Sequence, residues 1–222
     1  MAPPVVTKRP FSNDTIWLFR NVKPRMCPRP RKVTDEQLFA ATYQVMNRVG
    51  PGELTLAAIA EAAGVTPAVL VQRFGSKRQL LLTLSQRFAD SSGAMVEQLA
   101  QNHRSPLAAL GAYAAQMAEM AVSPAALARS LAYLQIDLSD HEFRKPLLRQ
   151  AKGTRRALKK LLQKAVAMGE LAPEAPPEKL AKAVEALVGG SLLSWACYQQ
   201  GTAKQWVREN LETLLGPWKT GK

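Results

Sequence analysis

Hydrophobic positions between Thr34 and Val49 recur at steps of three and four residues, the spacing of one buried helix face. Thr34 and Gln37 flank the start of this stripe with the pattern of a capping box. Gly50-Pro51-Gly52 ends it. The pattern predicts a first helix whose inward face is formed by Leu38, Ala41, Thr42, Val45, Met46 and Val49.

Two short helices are predicted next, separated by a tight turn. Thr55 is a cap residue for a helix that buries Ile59 and Ala63 and stops at Gly64. Gly64-Val65-Thr66-Pro67 then forms a turn, after which a third helix begins. Thr66 is a good N-cap, and proline is well tolerated at the first helical position. Leu70 and Phe74 are four residues apart and predict the inward face of this third helix.

Further helices are indicated by cap residues and breaks along the rest of the chain. Ser76 and Gln79 have the spacing of a capping box that opens a long fourth helix, and Ser105-Pro106 and Ser123-Pro124 each place a cap before a proline. We expect a long basic helix from about 141 to 169, a linker at 172–177, and closing helices at about 177–200 and 202–215. The chain is therefore predicted to be all-α.

The apolar stretches are too short for a membrane span. The longest, 183–197, is interrupted by Glu185 and by Gly189-Gly190, and it falls short of the roughly 20 apolar residues that a span requires.

The positive charge of the chain is concentrated in two blocks. The formal net charge is +13. Residues 1–33 carry eight basic residues against Asp14, and residues 142–164 carry nine against Glu142. The stretch 57–76, by contrast, has one basic residue, Arg73. This distribution favours anionic partners, nucleic acid first and a membrane surface second.

The first block is predicted to be a disordered arm. Residues 1–33 contain six of the fifteen prolines and show no helical period. Translation from Met26 is an alternative, since the chain from there would have a short basic lead-in of ordinary length.

Neither cysteines nor histidines form a chemical site in the sequence. Cys27 and Cys197 give no disulfide framework and no zinc spacing, which favours a reducing cytoplasm. His103 and His141 have no ligand-spaced partner, and no nucleophilic or acid–base set is indicated. We therefore expect no metal, no cofactor and no enzymatic activity.

A helix, a tight glycine turn and a short second helix form a helix-turn-helix, in which the short helix reads the major groove of DNA. The stretch 55–81, TLAAIAEAAGVTPAVLVQRFGSKRQLL, resembles the DNA-binding signature of the tetracycline-repressor (TetR) family of bacterial regulators. The resemblance covers roughly residues 34–82.

The resemblance implies a homodimeric, cytoplasmic transcription factor, usually a repressor, that binds a palindromic operator. It implies three segments: the arm at 1–33, a three-helix DNA-binding domain at 34–82, and a helical domain at 83–218 that dimerises and senses a small molecule.

The DNA contacts of the family carry over onto matching positions of this sequence. Those positions are Thr55, Leu56, Thr66, Pro67, Ala68, Val69, Val71, Gln72, Arg73 and Lys77. Val71 departs from the pattern, because the family usually has a tyrosine there that binds the DNA backbone. A valine can contact a thymine methyl instead. The basic arm adds three candidates for phosphate or minor-groove contact, Arg29, Arg31 and Lys32.

The C-terminal region supplies candidates for a ligand pocket and a dimer interface. For an apolar pocket we select Tyr113, Met117, Met120, Leu131, Tyr133, Phe143 and Trp195, all of which could equally be simple core. For the interface we select Leu187, Gly189, Gly190, Leu192, Val207, Leu211 and Leu214, since the glycines permit close helix approach.

The basic helix at 142–164 leaves a second function open. Its apolar positions 147–148, 151, 158, 161–162 and 165 share one face, so its cations share the other. A solvated face is the simplest interpretation. Attraction of an acidic ligand and nonspecific DNA contact are alternatives. A basic amphipathic protein that associates with an anionic membrane surface is an alternative of a different class.

Overall fold

The computed structural model describes residues 33–221, and these fold into α helices with no β-sheet. The helices are α1 (Asp35–Met46), α2 (Leu56–Ala63), α3 (Pro67–Phe74), α4 (Lys77–Asp90), α5 (Ala94–Asn102), α6 (Pro106–Met120), α7 (Pro124–Ser139), α8 (His141–Ala167), α9 (Pro177–Tyr198) and α10 (Ala203–Leu215). A short 3-10 turn, Gly216–Trp218, follows α10. The all-α prediction is confirmed.

Hydroxyl caps begin most of these helices where the sequence predicts them. Thr34 accepts a hydrogen bond from the backbone N–H of Gln37, and the Gln37 side chain accepts one from the N–H of Thr34, which completes the predicted capping box. At α4 the structure shows the Ser76 half of the second predicted box, a bond from the Gln79 N–H. The same single bond caps the helices that follow Thr55, Ser105 and Ser123.

The first four helices enclose a hydrophobic cluster of their own. Phe39 on α1 lies against Phe74 on α3 with ring centroids 5.5 Å apart. The buried members of this N-terminal cluster are Leu38, Phe39, Val45, Leu54, Ile59, Ala60, Leu70, Leu80 and Leu84. Burial of these side chains fixes the angle of α3 on its scaffold.

A second cluster joins α5, α6, α8, α9 and α10 into a helical bundle. Leu110, Leu158, Leu162 and Val184 are fully buried at its centre. Leu148, predicted on the apolar face of α8, is 52% exposed. The helix buries Phe143 and Pro146 near its start, and its face in this cluster begins at Ala157.

Helix α7 is packed more loosely than its neighbours. It has no buried residue along its length, although half of its side chains are apolar. Leu131 and Leu138 are exposed, as are Met120 and Val122 in the segment before it. Its partners are α8 and α9, together with the N-terminal cluster, against which Tyr133 packs.

The turn between α4 and α5 crosses α8 at a pair of glycines. A Cβ atom at Gly153 would lie 1.9 Å from Ser92 Oγ, and one at Gly93 would lie 3.1 Å from the Gly153 carbonyl oxygen. Gly93 also has φ +86°, a conformation that L side chains rarely adopt. Both glycines are needed for the backbone of this turn to approach α8 so closely.

Among the described residues, one helix, α9, is long and apolar enough to cross a membrane by length and composition. Core helices of soluble bundles meet the same criteria, and α9 buries Leu180, Val184, Val188 and Trp195 in the C-terminal cluster.

Candidate nucleic-acid interface

The turn between α2 and α3 holds the short helix at the surface. Gly64 ends α2 in the left-handed region, with φ 66° and ψ 34°, and the N–H of Val65 donates to the carbonyl oxygen of Ala60. A glycine adopts this conformation without steric cost. The predicted helix-turn-helix is therefore present with the predicted boundaries.

The outward face of α3 carries small, apolar and amide side chains. Pro67, Ala68, Val71 and Gln72 are exposed, while Val69 is half-buried. The side chain of Val71 is 48% exposed. This face suits contacts with base edges and thymine methyl groups rather than with phosphates.

Thr66 occupies the N-cap position of α3 with extended backbone angles, but its side chain makes no capping hydrogen bond. The expected side-chain cap is therefore absent there. The Thr66 residue is exposed, so its hydroxyl is placed to reach an external acceptor.

Arg73 is paired within the protein. Its Nη1 atom lies 3.1 Å from Asp35 Oδ1 on α1, and this ion pair ties the end of α3 to the start of the domain. The sequence analysis selects Arg73 for DNA contact. A DNA phosphate would have to displace the Asp35 carboxylate to bind it.

Lys77 links the starts of two helices. Its Nζ donates a 2.8 Å hydrogen bond to the carbonyl oxygen of Leu54, which directly precedes the N-cap of α2. The N-termini of α2 and α4 are thereby held together, with exposed Thr55 and half-buried Leu56 beside the ammonium group. An ammonium group has three N–H donors, so one bond leaves two for an external anion.

The domain formed by α1–α4 has no net charge. Residues 33–90 contain five basic residues (Arg48, Arg73, Lys77, Arg78, Arg87) and five acidic ones (Asp35, Glu36, Glu53, Glu61, Asp90). Arg73, Arg78 and Arg87 each form an ion pair. Long-range attraction to DNA must therefore come from outside this domain.

Arg78 fastens α4 to the N-terminus of α8. Its guanidinium donates to Asp140 at 2.5 and 3.1 Å and to Glu142 at 2.6 Å, and it lies 5.1 Å from the Phe143 ring centroid. The hydrogen bond from Arg78 holds the pKa of the Asp140 carboxyl below its ordinary value. The donors of Arg78 therefore face carboxylates at the start of α8, although its neighbour Lys77 is a candidate for phosphate contact.

Two further hydrogen bonds connect α7 to the segment that follows α1, and no sequence pattern predicts them. Tyr133 Oη donates to the carbonyl oxygen of Val49 at 3.1 Å, and Arg129 Nε donates to that of Asn47 at 3.3 Å. Because both acceptors are backbone atoms, no side-chain pattern marks them in the sequence.

The structure separates the seven residues selected for a ligand pocket. Tyr113 and Trp195 are buried in the C-terminal cluster, and Met117 is partly buried against that cluster. Burial raises the pKa of Tyr113 to about 12. Tyr133 packs against the N-terminal cluster, Phe143 is buried beneath Arg78, and Met120 and Leu131 are exposed near α7.

The interface candidates divide into three groups by exposure. Val207 and Leu211 are buried within the C-terminal cluster of a single chain, so they are not available to a second copy. Leu187, Leu192 and Leu214 are partly buried against the same cluster. Gly189 and Gly190 lie on an exposed stripe of α9 that continues through Ala186, Leu193 and Cys197.

Three candidates, Arg29, Arg31 and Lys32, lie outside the described residues together with the rest of the arm and with Cys27.

The comparisons with known proteins agree with this geometry. Residues 38–84 match the family model for bacterial regulatory proteins of the tetR family. A sequence comparison with curated proteins finds no match. Among solved structures, a TetR transcription regulator from Haloarcula marismortui is similar with TM-score 0.65 and 16% identity, covering 84% of this chain and 98% of that one.

Two similar structures come from named regulators. The fatty acid degradation regulator FadR of Bacillus halodurans has TM-score 0.63 and 20% identity, covering 82% of this chain and 98% of that one. SmeT, the repressor of a Stenotrophomonas maltophilia multidrug efflux pump, has TM-score 0.58 and 19% identity, covering 85% and 92%.

A helix-turn-helix whose second helix is exposed to solvent is an arrangement that proteins use to read the major groove of DNA. In the present chain it is joined to a larger helical bundle. Residues 38–84 match the tetR family of bacterial regulatory proteins, and the chain shares its fold with solved structures of TetR-family regulators.

Proposed function

We propose that the protein is a repressor that binds a palindromic operator as a homodimer in the cytoplasm and releases it when a small molecule binds the C-terminal bundle. The observation that carries the DNA-reading part is the outward face of α3, where Val71 and Gln72 are exposed while Leu70 of the same turn is fully buried.

DNA contacts are assigned to two groups of residues. Gln72 and Val71 read bases, since an amide suits adenine and a methyl-bearing side chain suits thymine. Backbone contacts fall to Thr55, Thr66 and Lys77 at the starts of α2, α3 and α4, where unpaired N–H groups and the helix dipole favour phosphate. Arg29, Arg31 and Lys32 of the arm add the positive charge that α1–α4 lack.

Dimerisation is assigned to the exposed stripe of α9. Leu193 is 46% exposed, and Ala186, Gly189, Gly190 and Cys197 lie on the same helix face, so a second copy of α9 could approach closely. A two-fold pair of this kind places two recognition helices about 34 Å apart, one turn of DNA.

The effector is assigned to the bundle on the side of α7. FadR of Bacillus subtilis is described in complex with stearoyl-CoA, which shows that one structure of this fold holds a long acyl ligand. In the present chain the loosely packed α7, near Met120 and Leu131, is the wall that could move to admit a ligand toward Tyr113 and Met117.

The membrane alternative is not favoured. Ala157, Leu158, Leu161, Leu162 and Ala165, the apolar face of α8, are buried in the C-terminal cluster. An interfacial helix needs that face for lipid.

Selection of bound duplexes from a random pool tests the reading of DNA. An enriched palindrome is expected, with half-site centres about ten base pairs apart. Enrichment of a single half-site, or of no sequence, would contradict the proposal.

Sedimentation tests the dimer separately. Leu193→Glu is expected to shift the protein toward monomer and to lower affinity for the palindrome. Gln163→Glu introduces the same charge at an exposed position of α8 and serves as the control. Equal behaviour of the two variants would remove α9 from the interface.

A further inference from the structure

A basic cleft lies where the α4–α5 turn meets α8. Its volume is about 330 Å³, and it is lined by Ser92, Lys145, Leu148, Arg149, Lys152, Gly153 and Arg156. None of the residues selected above for a ligand pocket contributes to it.

The floor of the cleft is formed by two closely packed segments. The α4–α5 turn rests on α8 through Gly153, where any side chain would collide with Ser92 Oγ. Ser92 is half-buried at this crossing and places a hydroxyl group beside the cations. A hydroxyl can donate to a phosphate oxygen, so the floor adds a directional donor to the charged wall.

The four cations form one stripe along α8. Lys145, Arg149, Lys152 and Arg156 follow steps of four, three and four residues, which places them on one helix face. Arg149 pairs with Asp90 at 3.1 Å, and within residues 33–221 the other three form no ion pair. Like charges at this spacing repel each other, and a bound anion would remove that repulsion.

Size and position favour a small ligand over a duplex. The cleft falls at the lower end of the roughly 300–1,000 Å³ of small-molecule sites. It adjoins the C-terminal end of α4, whereas Lys77 lies at the N-terminal end. A helix of α4's length spans about 20 Å. DNA bound at α3 and the start of α4 would therefore not reach it.

We propose that this cleft binds a small phosphorylated molecule with two or more negative charges, held by Lys145, Lys152, Arg156 and the Ser92 hydroxyl. The exposed Leu148 side chain offers a contact for an apolar part of the same molecule. The site is independent of the operator and of the effector position proposed above.

Calorimetric titration of inorganic pyrophosphate into the full-length protein tests the site. One saturable site per protomer is expected, with at least tenfold weaker binding in Arg156→Glu. Lys164→Glu makes the same charge change at an exposed position in the last turn of α8 and should alter affinity less than twofold. The basic arm is common to all these proteins, so any pyrophosphate that it binds contributes equally to each titration.

Removal of the Asp90 carboxylate, which pairs with Arg149, should change the affinity for pyrophosphate in the opposite direction. Asp90→Asn should tighten pyrophosphate binding severalfold, and Glu174→Gln, an exposed change of equal charge beyond the end of α8, should not. Lys152→Glu provides a second loss-of-binding variant if Arg156→Glu unfolds at lower temperature than Lys164→Glu.

Three results would overturn the proposal. One is equal weakening by Arg156→Glu and Lys164→Glu, which would mean diffuse attraction. In the other two results, pyrophosphate binding does not saturate. Arg156→Glu then abolishes binding to phosphatidylglycerol vesicles in one of them, and binding to a nonoperator duplex in the other. These would assign the cations to a lipid surface or to DNA.

Discussion

At the scale of single residues, the proposed reading of DNA bases rests on Val71 and Gln72. Both are exposed on α3, and the arginine that follows them is held by Asp35. The proposed base reading therefore depends on one amide and one branched apolar group rather than on a guanidinium, which usually recognises guanine.

Gln72→Ala should relax the preference at one base position of each half-site. The expected loss is about 1–3 kcal/mol for the preferred base, with little change for other bases at that position. Competition binding with single-substituted operators measures it. The same change at Gln163, exposed on α8, should leave the whole profile intact, and a uniform loss in Gln72→Ala would contradict base reading.

Asp137 on α7 makes the stability of the protein depend on pH. Burial raises the pKa of its carboxyl from the ordinary value of 3.8 to about 6. The folded state thus prefers the protonated acid, and ionisation destabilises it as pH rises between those two values.

Asp137→Asn should accordingly raise the melting temperature at about pH 7.5 but not at about pH 4, where the native carboxyl is already mostly protonated in the fold. Thermal unfolding at both pH values measures the difference. Glu174→Gln is the exposed control. An identical gain at both pH values would show that ionisation of Asp137 is not the cause.

At the scale of elements, the start of α4 has two cations with different tasks. Lys77 faces the start of α2, whereas Arg78, one residue later, faces Asp140 and Glu142 of the C-terminal region. Adjacent residues on a helix point about 100° apart, which is why two neighbouring charges serve different partners.

Lys77→Ala should weaken binding to all duplexes alike and reduce the slope of log affinity against log salt by about one. Arg78→Ala should leave that slope unchanged, because its guanidinium is engaged by carboxylates. Affinity measured over a series of salt concentrations distinguishes them. A reduced slope in Arg78→Ala would show that its ion pairs open when DNA binds.

These elements show what could be predicted from the sequence. Caps, glycine breaks and apolar periods predict the bounds of α1–α4 closely, because each is a local signal within a few residues. The fastening of Arg78 to Asp140 could not be predicted, since it joins residues 62 apart and depends on how two clusters pack. The same holds for Val207 and Leu211, whose apolar stripe indicates burial but not which surface covers it.

At the scale of the whole molecule, the positive charge and the helix-turn-helix lie in different segments of the chain. In the proposed function, α1–α4 supply the shape that enters a groove. The arm at 1–32 carries seven units of net positive charge, eight basic residues less Asp14. The arm lies outside the described residues, so its part in binding stays a prediction from the sequence.

Deletion of residues 1–32 should lower the salt slope by several units, because each phosphate contact contributes about 0.9 to it. The preference among operator variants should remain, since α3 is intact. Parallel titrations of the full-length and shortened proteins measure both. An unchanged slope would remove the arm from the interface.

The loose packing of α7 has a consequence for the way in which the protein opens. A helix with no buried side chain loses little when it unfolds locally, so its amide hydrogens should exchange with solvent far faster than those of α8, whose centre is fully buried. Tyr133 and Arg129 tether this same helix to the end of α1. Each local opening would therefore break these two hydrogen bonds, while the bonds from Arg78 to Asp140 and Glu142 still hold α4 to the start of α8.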